Sequence, residues 1–569
     1  MKRYSLFLFV ILIALLSTSI AEAQKKGKKP AASPEIIGQA AFPISCKKTV
    51  QKTFDRGIAL LHSFWYQEAE RSFTSVIQTD PNCAMGYWGI AMTHYHPLWE
   101  PPGPADLRRG WTFAVRAKKL GSKSERERDY LAAIETFYHD SDKVDHTTRA
   151  VAYEKAMEQL HQKHPDDREG AIFYALSLLG SASPSDKSHA NQKKAVEILN
   201  PIFAQAPDHP GVIHYLIHAT DSPELASMGL NAARAYAKVA PSVPHALHMP
   251  SHIFIRLGLW QEAIDSNRAS DAAAKSKMKD NPDPRLHAMD YLIYAYLQKG
   301  DDLQAQGIVN ELSFLPKAKQ ESLTAAYAQA AIPARYVLER RHWSEAMALS
   351  AHPSHYPYTE AITYFARAVG AARSHRIIEA RGELEVLKSV RDNLLESKDQ
   401  YWANQVEVLL QAAGAWTEYT DGKHDRALLH MRTAAELEDS LEKSPVTPGP
   451  IFPAREMLGD LLLEVGEPKA ALVEFEKSLQ NAPNRFNGLY GAARAAERAE
   501  NIDAARTYYE KLVAVAGGPG NHRTELAEAK VFLEKTPSRE GSSLPAAAPS
   551  KTDGTPSPNQ QSLQNDRGE

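Results

Sequence analysis

The sequence predicts an all-α solenoid of about a dozen stacked helix-turn-helix units, and three observations carry that prediction. Gly57, Ala69, Phe73 and Pro81 stand at spacings of 12, 4 and 8, and Gly459, Ala471, Phe475 and Pro483 repeat those spacings without a slip. The pair His214 and His218 recurs 34 residues later as His248 and His252. Elsewhere apolar residues return at intervals of three and four, with few alternating β-branched runs, which is the period of amphipathic helices. At 569 residues the chain outgrows one ordinary core, so several domains or one solenoid are the economical arrangements.

A period of 34 residues is that of the tetratricopeptide (TPR) helix-turn-helix repeat. The recurring positions suit it: small residues where two helices cross closely, an aromatic that packs onto the next unit, and a proline after the second helix. Ala493, Ala505 and Tyr509 keep the phase in the repeat after Pro483. Longer phrases point the same way. The runs Pro81-Asn82-Cys83-Ala84-Met85-Gly86-Tyr87-Trp88-Gly89, His96-Pro97-Leu98-Trp99, His248-Met249-Pro250-Ser251-His252 and Pro453-Ala454-Arg455-Glu456 resemble exported bacterial TPR proteins, a group without an established biochemical activity. The resemblance spans nearly the whole mature chain and implies fold and export.

In chain order, Lys2 and Arg3 precede an apolar run from Leu6 to Leu16, and Ala21-Glu22-Ala23 supplies a small-x-small cleavage pattern. Residues 1–23 therefore read as a signal peptide, making the protein exported, periplasmic or secreted. Residues 24–40 read as a flexible leader. Residues 41–536 form the superhelix, with helical pairs expected near 84–120, 124–164, 167–206, 209–241, 243–277, 285–313, 320–350, 358–393 and 399–441. A helix near Thr524 to Glu534 caps the stack. Residues 537–569, rich in Ser, Pro, Gly, Asn and Gln, read as a disordered tail. The two cysteines, Cys46 and Cys83, precede the first helices of adjacent repeats, where they can bridge in an oxidising compartment or remain thiols. A net charge of -3 and the lack of a basic stripe beyond Lys25 to Lys29 give no case for nucleic acid. No apolar run after the signal peptide is long enough for a membrane span.

The candidate site lies in the histidine-rich repeats at 209–313. His214/His218 and His248/His252 are pairs at i and i+4, so each puts two imidazoles on one helix face. In the TPR family the first helix of each pair lines the concave groove. Setting Ala263 in the slot of Ala69 and Ala471 puts Ser251 at the close crossing and turns His245, His248 and His252 to the groove. His214 and His218 take the matching places one repeat earlier; phasing Gly300 on Gly258 gives His287, Asp290 and Tyr294 one repeat later.

Two histidine pairs on neighbouring helices can chelate a transition metal such as Zn, with a water or a carboxylate, Asp221 or Asp290, completing the sphere. An open position there would make a metal-dependent enzyme conceivable, although no HExxH helix, G-x-S-x-G elbow or P-loop is present. The leading expectation is a scaffold that binds a protein, peptide or small ligand in its concave groove, with His245, His287, Asp290, Tyr294 and Asp221 in contact. The alternative is a metalloprotein using His214, His218, His248 and His252; polar histidines of purely structural role are the third reading. Pro250 adds a fork: either it lies inside a helix begun near Pro244 and kinks it, or the helix begins at Pro250. Two weaker constellations are His94, His96, Trp99 and Glu100 as a loop at the groove end, and Arg335, Arg367, Arg455 and Glu456 as binders of peptide carboxylates.

Overall fold

Phe73 explains why small residues recur. Its ring is fully buried between two glycines: a Cβ on Gly57 would stand 2.6 Å from the ring, and one on Gly89 2.5 Å. Phe475 sits identically between Gly459 and Gly491, where an added Cβ would come within 2.7 and 2.2 Å. Each phenyl ring thus fills the crossing of its own helical pair and that of the next, so the motif is the inter-repeat contact itself. Overpacking such a contact costs about 1–3 kcal/mol. Gly491→Ala should therefore destabilise the last repeats by that amount, read as a lowered denaturant midpoint; an unchanged midpoint would show that the ring can give way.

The computed structural model describes residues 35–536 apart from 99, 279–280, 316–320 and 519. The signal peptide, most of the leader, Trp99 and the C-terminal tail lie outside the described residues. Those described form helices and no strand, and none of the helices is long and apolar enough to cross a membrane. The first pair is Gln51–His62 with Tyr66–Thr79, the last is Phe486–Arg498 with Ile502–Ala516, and Thr524–Lys535 caps the stack. Twelve pairs precede that cap, and the pairs between first and last fall where the sequence pattern puts them. The fold is a TPR-like helical-repeat scaffold.

Three features close the scaffold on itself. Residues 36–42 cross the outer turns: Ile36 exchanges backbone hydrogen bonds with Ser242 through its carbonyl and with the Ser242 hydroxyl through its N–H, Gln39 donates to the Asp208 carbonyl at 3.1 Å, and Phe42 is fully buried. Cys46 and Cys83 are joined by a disulfide, their Cα atoms 5.2 Å apart. The C-terminal repeats return to the middle of the chain. Trp260 donates through Nε1 to the Asn484 carbonyl at 2.8 Å, and Arg523 grips Asp302 at 2.6 Å. Gly258, at φ +65°, lies so near Pro483 that a Cβ there would meet its carbonyl oxygen at 2.3 Å. Only glycine tolerates both that backbone and that approach.

The segment from Leu441 to Pro453, between the helices His424–Ser440 and Ala454–Glu464, runs across the first helices of the central repeats. Arg335, fully buried, donates to the carbonyls of Pro450 and Gly449 and to the Thr447 hydroxyl. At its end the Glu438 carboxyl accepts the first N–H of the next helix from Ala454 at 2.9 Å. Burial pushes that carboxyl up to about 8. The group is then neutral in the folded chain at pH 7 but ionised when unfolded, so stability is greatest below the ordinary glutamate value near 4.3 and declines as pH rises towards 8. Glu438→Gln should remove that decline and gain on the wild type between pH 5 and 8, as denaturant melts at both pH values would read; parallel pH profiles would contradict it.

Candidate metal centre

The histidines stand on four short lengths of helix. Pro210 at the first turn of Pro210–Ala219 fixes the start that carries His214 and His218, and the His209 side chain accepts the Val212 N–H as its cap. The next first helix is broken: Pro244–His248 is followed by Pro250–Arg256, with Met249 still helical at φ -51°, ψ -37°. Pro250 has no N–H to donate, and His252 donates to the Met249 carbonyl instead of one a full turn back. Both readings of Pro250 thus hold in part: it opens a new helix, and it stands between His248 and His252. Asp283–Gln298 carries His287, Asp290, Tyr291 and Tyr294.

Six imidazoles gather as two triads, His214/His218/His245 and His248/His252/His287, with the ligand atoms of each triad within 4.8 Å of one another. In the first, Nε2 of His214 is 3.1 Å from Nε2 of both His218 and His245. In the second, Nε2 of His248 is 3.1 Å from Nε2 of His252. Each i, i+4 pair therefore takes its third member from the following repeat. His245 and His287, expected as groove contacts, join the pairs instead of standing apart from them.

The opposite ring nitrogens decide the protonation. His214 Nδ1 faces the His62 carbonyl at 2.6 Å, an acceptor only, so Nδ1 carries the proton. His248 Nδ1 faces Asn267 Oδ1 at 2.7 Å, and that amide is oriented by its own donation to the Ala263 carbonyl. His252 Nδ1 donates to Asp221 at 2.8 Å. Neutral His248 and His252 then aim lone pairs at each other across 3.1 Å, which is repulsive unless a cation lies between them. Burial drives His214, His218, His245, His248 and His287 well below the usual imidazole range, and neighbouring imidazoles push the same way. His252 is lowered by burial too, against the pull of Asp221, and the Tyr291 hydroxyl stands 3.4 Å from its Nε2.

Asp221 orients rather than ligates. It accepts from His252, from Arg256 at 2.9 Å and from Lys443 at 2.7 Å. Burial alone would raise its carboxyl, but Lys443 and Arg256 outweigh that and hold it well below the usual carboxylate range. Lys443 brings the Leu441–Pro453 segment to the site from 222 residues away. With that segment in place His214 is fully buried and His248 and His252 are 2% exposed, while His218, His245 and His287 are partly exposed. A cavity of about 170 Å³ remains beside them, lined by His218, His245, His248, His252 and His287 together with apolar side chains and the polar Ser270, Asp283 and Thr324.

Asp290 and Tyr294 are placed elsewhere. Asp290 pairs with Arg335 at 2.9 Å, and Tyr294 accepts from Arg485 at 2.8 Å, so neither reaches the imidazoles. Arg335 is saturated by its own chain, Arg367 pairs with Glu383, Arg455 pairs with Asp439 and Glu474, and Glu456 pairs with Arg485. Arg335, Arg455 and Glu456 are thus engaged within the chain, whereas Arg367 is a third exposed and its Nε has no hydrogen-bond partner among the described residues. At the other weak constellation His94 pairs with Asp106 at 2.8 Å, His96 bonds the Thr93 carbonyl, and Glu100 accepts from Tyr356.

Sequence reasoning missed His62, Glu169 and Phe64. Phe64 packs its ring against His214, His218 and His245 at 4.4 to 5.9 Å. His62, Glu169 and His209 form a third buried cluster, but its nitrogens are spent. Glu169 bridges the two rings at 2.9 Å on either side, the Tyr215 hydroxyl serves His62 Nδ1, and the Val212 N–H serves His209 Nδ1. His209, beside Pro210 in the sequence, caps the next helix from a buried position, and nothing in its spacing points to His62 or Glu169.

No family model and no curated protein matches the chain. Among solved structures it is similar to a tetratricopeptide repeat protein from Parabacteroides merdae, at 12% identity over 52% of this chain and 99% of that one, TM-score 0.28. It is also similar to yeast Tom70, at 13% identity over 86% and 95% of the two chains, TM-score 0.25. The Cut9–Hcn1 hetero-tetramer of the APC/C matches at 10% identity over 86% and 96%, TM-score 0.26.

Proposed function

We propose that this chain is an exported helical-repeat metalloprotein in which the repeats hold transition-metal ions between imidazoles. The observation that carries the reading is the facing pair His248 and His252, whose Nδ1 protons are held by Asn267 and Asp221 while their Nε2 atoms converge at 3.1 Å. That arrangement is how proteins fix the tautomer and orientation of metal-ligating histidines, by an oxygen acceptor on the far nitrogen. All-nitrogen donor sets suit Zn, Cu, Fe or Ni rather than Ca or Mg. Export is supported by the N-terminal sequence and by the Cys46–Cys83 bridge, a bond at home in oxidising compartments.

A second reading, ligand binding by the scaffold, is favoured by one other observation. A cavity of about 380 Å³ lies beyond the Leu441–Pro453 segment, and Tyr358 and Trp402 stack in its wall with ring centroids 3.8 Å apart. That space suits a small ligand with an apolar face.

The test is metal content, by mass spectrometry, of tag-free protein recovered from the exported fraction, beside a His248→Ala/His252→Ala variant. Stoichiometric transition metal in the wild type and a loss in the variant are expected, with a mature chain beginning at Gln24. A chain that holds no metal even after reconstitution would overturn the metalloprotein reading and send the search to the aromatic cavity.

A further inference from the structure

We infer that the two histidine triads work as one dinuclear centre, in which two ions side by side share a small ligand in the cavity that both triads line. The inference rests on the metal-binding reading and adds to it the number of ions, their proximity and the class of molecule they take.

Three observations carry it. First, the triads are complete and separate: each has three convergent ligand atoms, and no imidazole belongs to both. One ion cannot use six nitrogens so divided, because a metal–imidazole bond is about 2.0–2.1 Å. Second, the triads touch. The rings of His218 and His252 lie 6.0 Å apart and those of His245 and His248 6.1 Å apart, centroid to centroid. The broken helix is the shared wall, since His245 serves one triad while His248 and His252 serve the other. Third, both triads open onto the same space. Five of the six imidazoles line the one cavity of about 170 Å³.

That space sets the ligand. It has room for a molecule of about benzene's size, too little for a nucleotide or a peptide, and beyond the imidazoles its wall combines Phe64, Trp65, Met249 and Val446 with the polar Ser270, Asp283 and Thr324. On the polar side stands Asp283, one turn before His287; the buried Oδ1 of Asp283 has no hydrogen-bond partner among the described residues. A small anion bridging two ions, such as hydroxide or azide, fits the volume, and a hydroxide can donate its proton to that oxygen. Three neutral nitrogens per ion, with no anionic ligand in either triad, leave each ion a full positive charge to spend on such an anion. They also place copper highest among divalent ions by intrinsic affinity.

The experiment uses the full mature chain, metal-stripped and titrated with Cu(II). Bound copper is counted by mass spectrometry, and the spins by electron paramagnetic resonance before and after azide. The expected result is two coppers per chain, a spin count well below two with a half-field transition, and a spectrum altered by azide. His245→Ala should return the signal of one isolated copper, with helical content unchanged by circular dichroism. Two full-intensity, azide-insensitive copper spectra, or a single copper per chain, would overturn the dinuclear inference while leaving the metalloprotein reading intact. A chain that binds no copper and no other transition ion would overturn both.

Discussion

A His252→Ala chain should bind one transition-metal ion fewer than the wild type, and Asp221→Asn should weaken the same ion by about 10–100-fold. The His252 ring joins the second triad through Nε2 and the Asp221 carboxylate through Nδ1, so its loss removes a ligand and leaves Asp221 with Arg256 and Lys443 alone. What remains, His248 and His287, is too few for a closed nitrogen site. The asparagine at 221 keeps an oxygen near the His252 Nδ1 but gives up the charge that raises the ring's basicity. It also leaves Lys443 and Arg256 without their anion. The readout is competition against a chromophoric chelator, in which the ion held by His214, His218 and His245 serves as the internal reference. Both ions held with wild-type affinity in either variant would remove His252 from the ligand set.

Replacing Arg485 by leucine should cost about 3–5 kcal/mol, the range for breaking a buried ion pair by deleting one partner. Arg485 is fully buried and donates to Glu456 at 2.6 Å, to Glu339 at 2.6 Å and to the Tyr294 hydroxyl at 2.8 Å. Without it two interior carboxylates, on helices Leu323–Glu339 and Ala454–Glu464, face each other with no cation. Burial already raises the Glu456 carboxyl against the pull of Arg485, so the variant should regain part of its loss as pH falls and these groups take up protons. The sign follows from linkage: the Glu456 carboxyl, already raised by burial, stands above its open-chain value, and the penalty for burying it ionised vanishes at low pH. Hydrogen exchange over Phe486–Arg498 would localise the effect. Exchange rates unchanged there would mean that the pair is replaced by water at no cost. Arg485→Lys should fall between, since a single ammonium cannot fork to two carboxylates and a hydroxyl.

The solenoid was legible because each repeat states its own rule locally. Gly57, Ala69 and Phe73 lie within 17 residues, and the helices they join are adjacent in sequence. The site was legible only to the extent that it inherits the repeat. His214, His218, His248 and His252 announce themselves by the repeat interval, and His245 and His287 by phase. Their division into two triads was not legible, because it depends on the break at Pro250 and on the twist from one repeat to the next. The partners that fix the tautomers were further out of reach: the His62 carbonyl is 152 residues from His214, and Lys443 is 222 from Asp221. No period relates them. The course of Leu441–Pro453 over the central repeats was out of reach for the same reason, since nothing in that segment says locally where it will lie.

The return of the last repeats to the middle of the chain has a consequence for how such a protein can change. An open solenoid is a one-dimensional array: it can gain or lose a unit, and its ends fray independently. Here the turn at Gly258 meets Pro483, and Lys299 at the next turn accepts from Asn521. Inserting one 34-residue unit anywhere between these partners would shift every later repeat along and around the superhelix and pull both contacts out of register. The number of repeats is therefore a fixed dimension of the molecule, like the number of strands in a barrel, and lineages of this chain should vary in loop length far more readily than in repeat count.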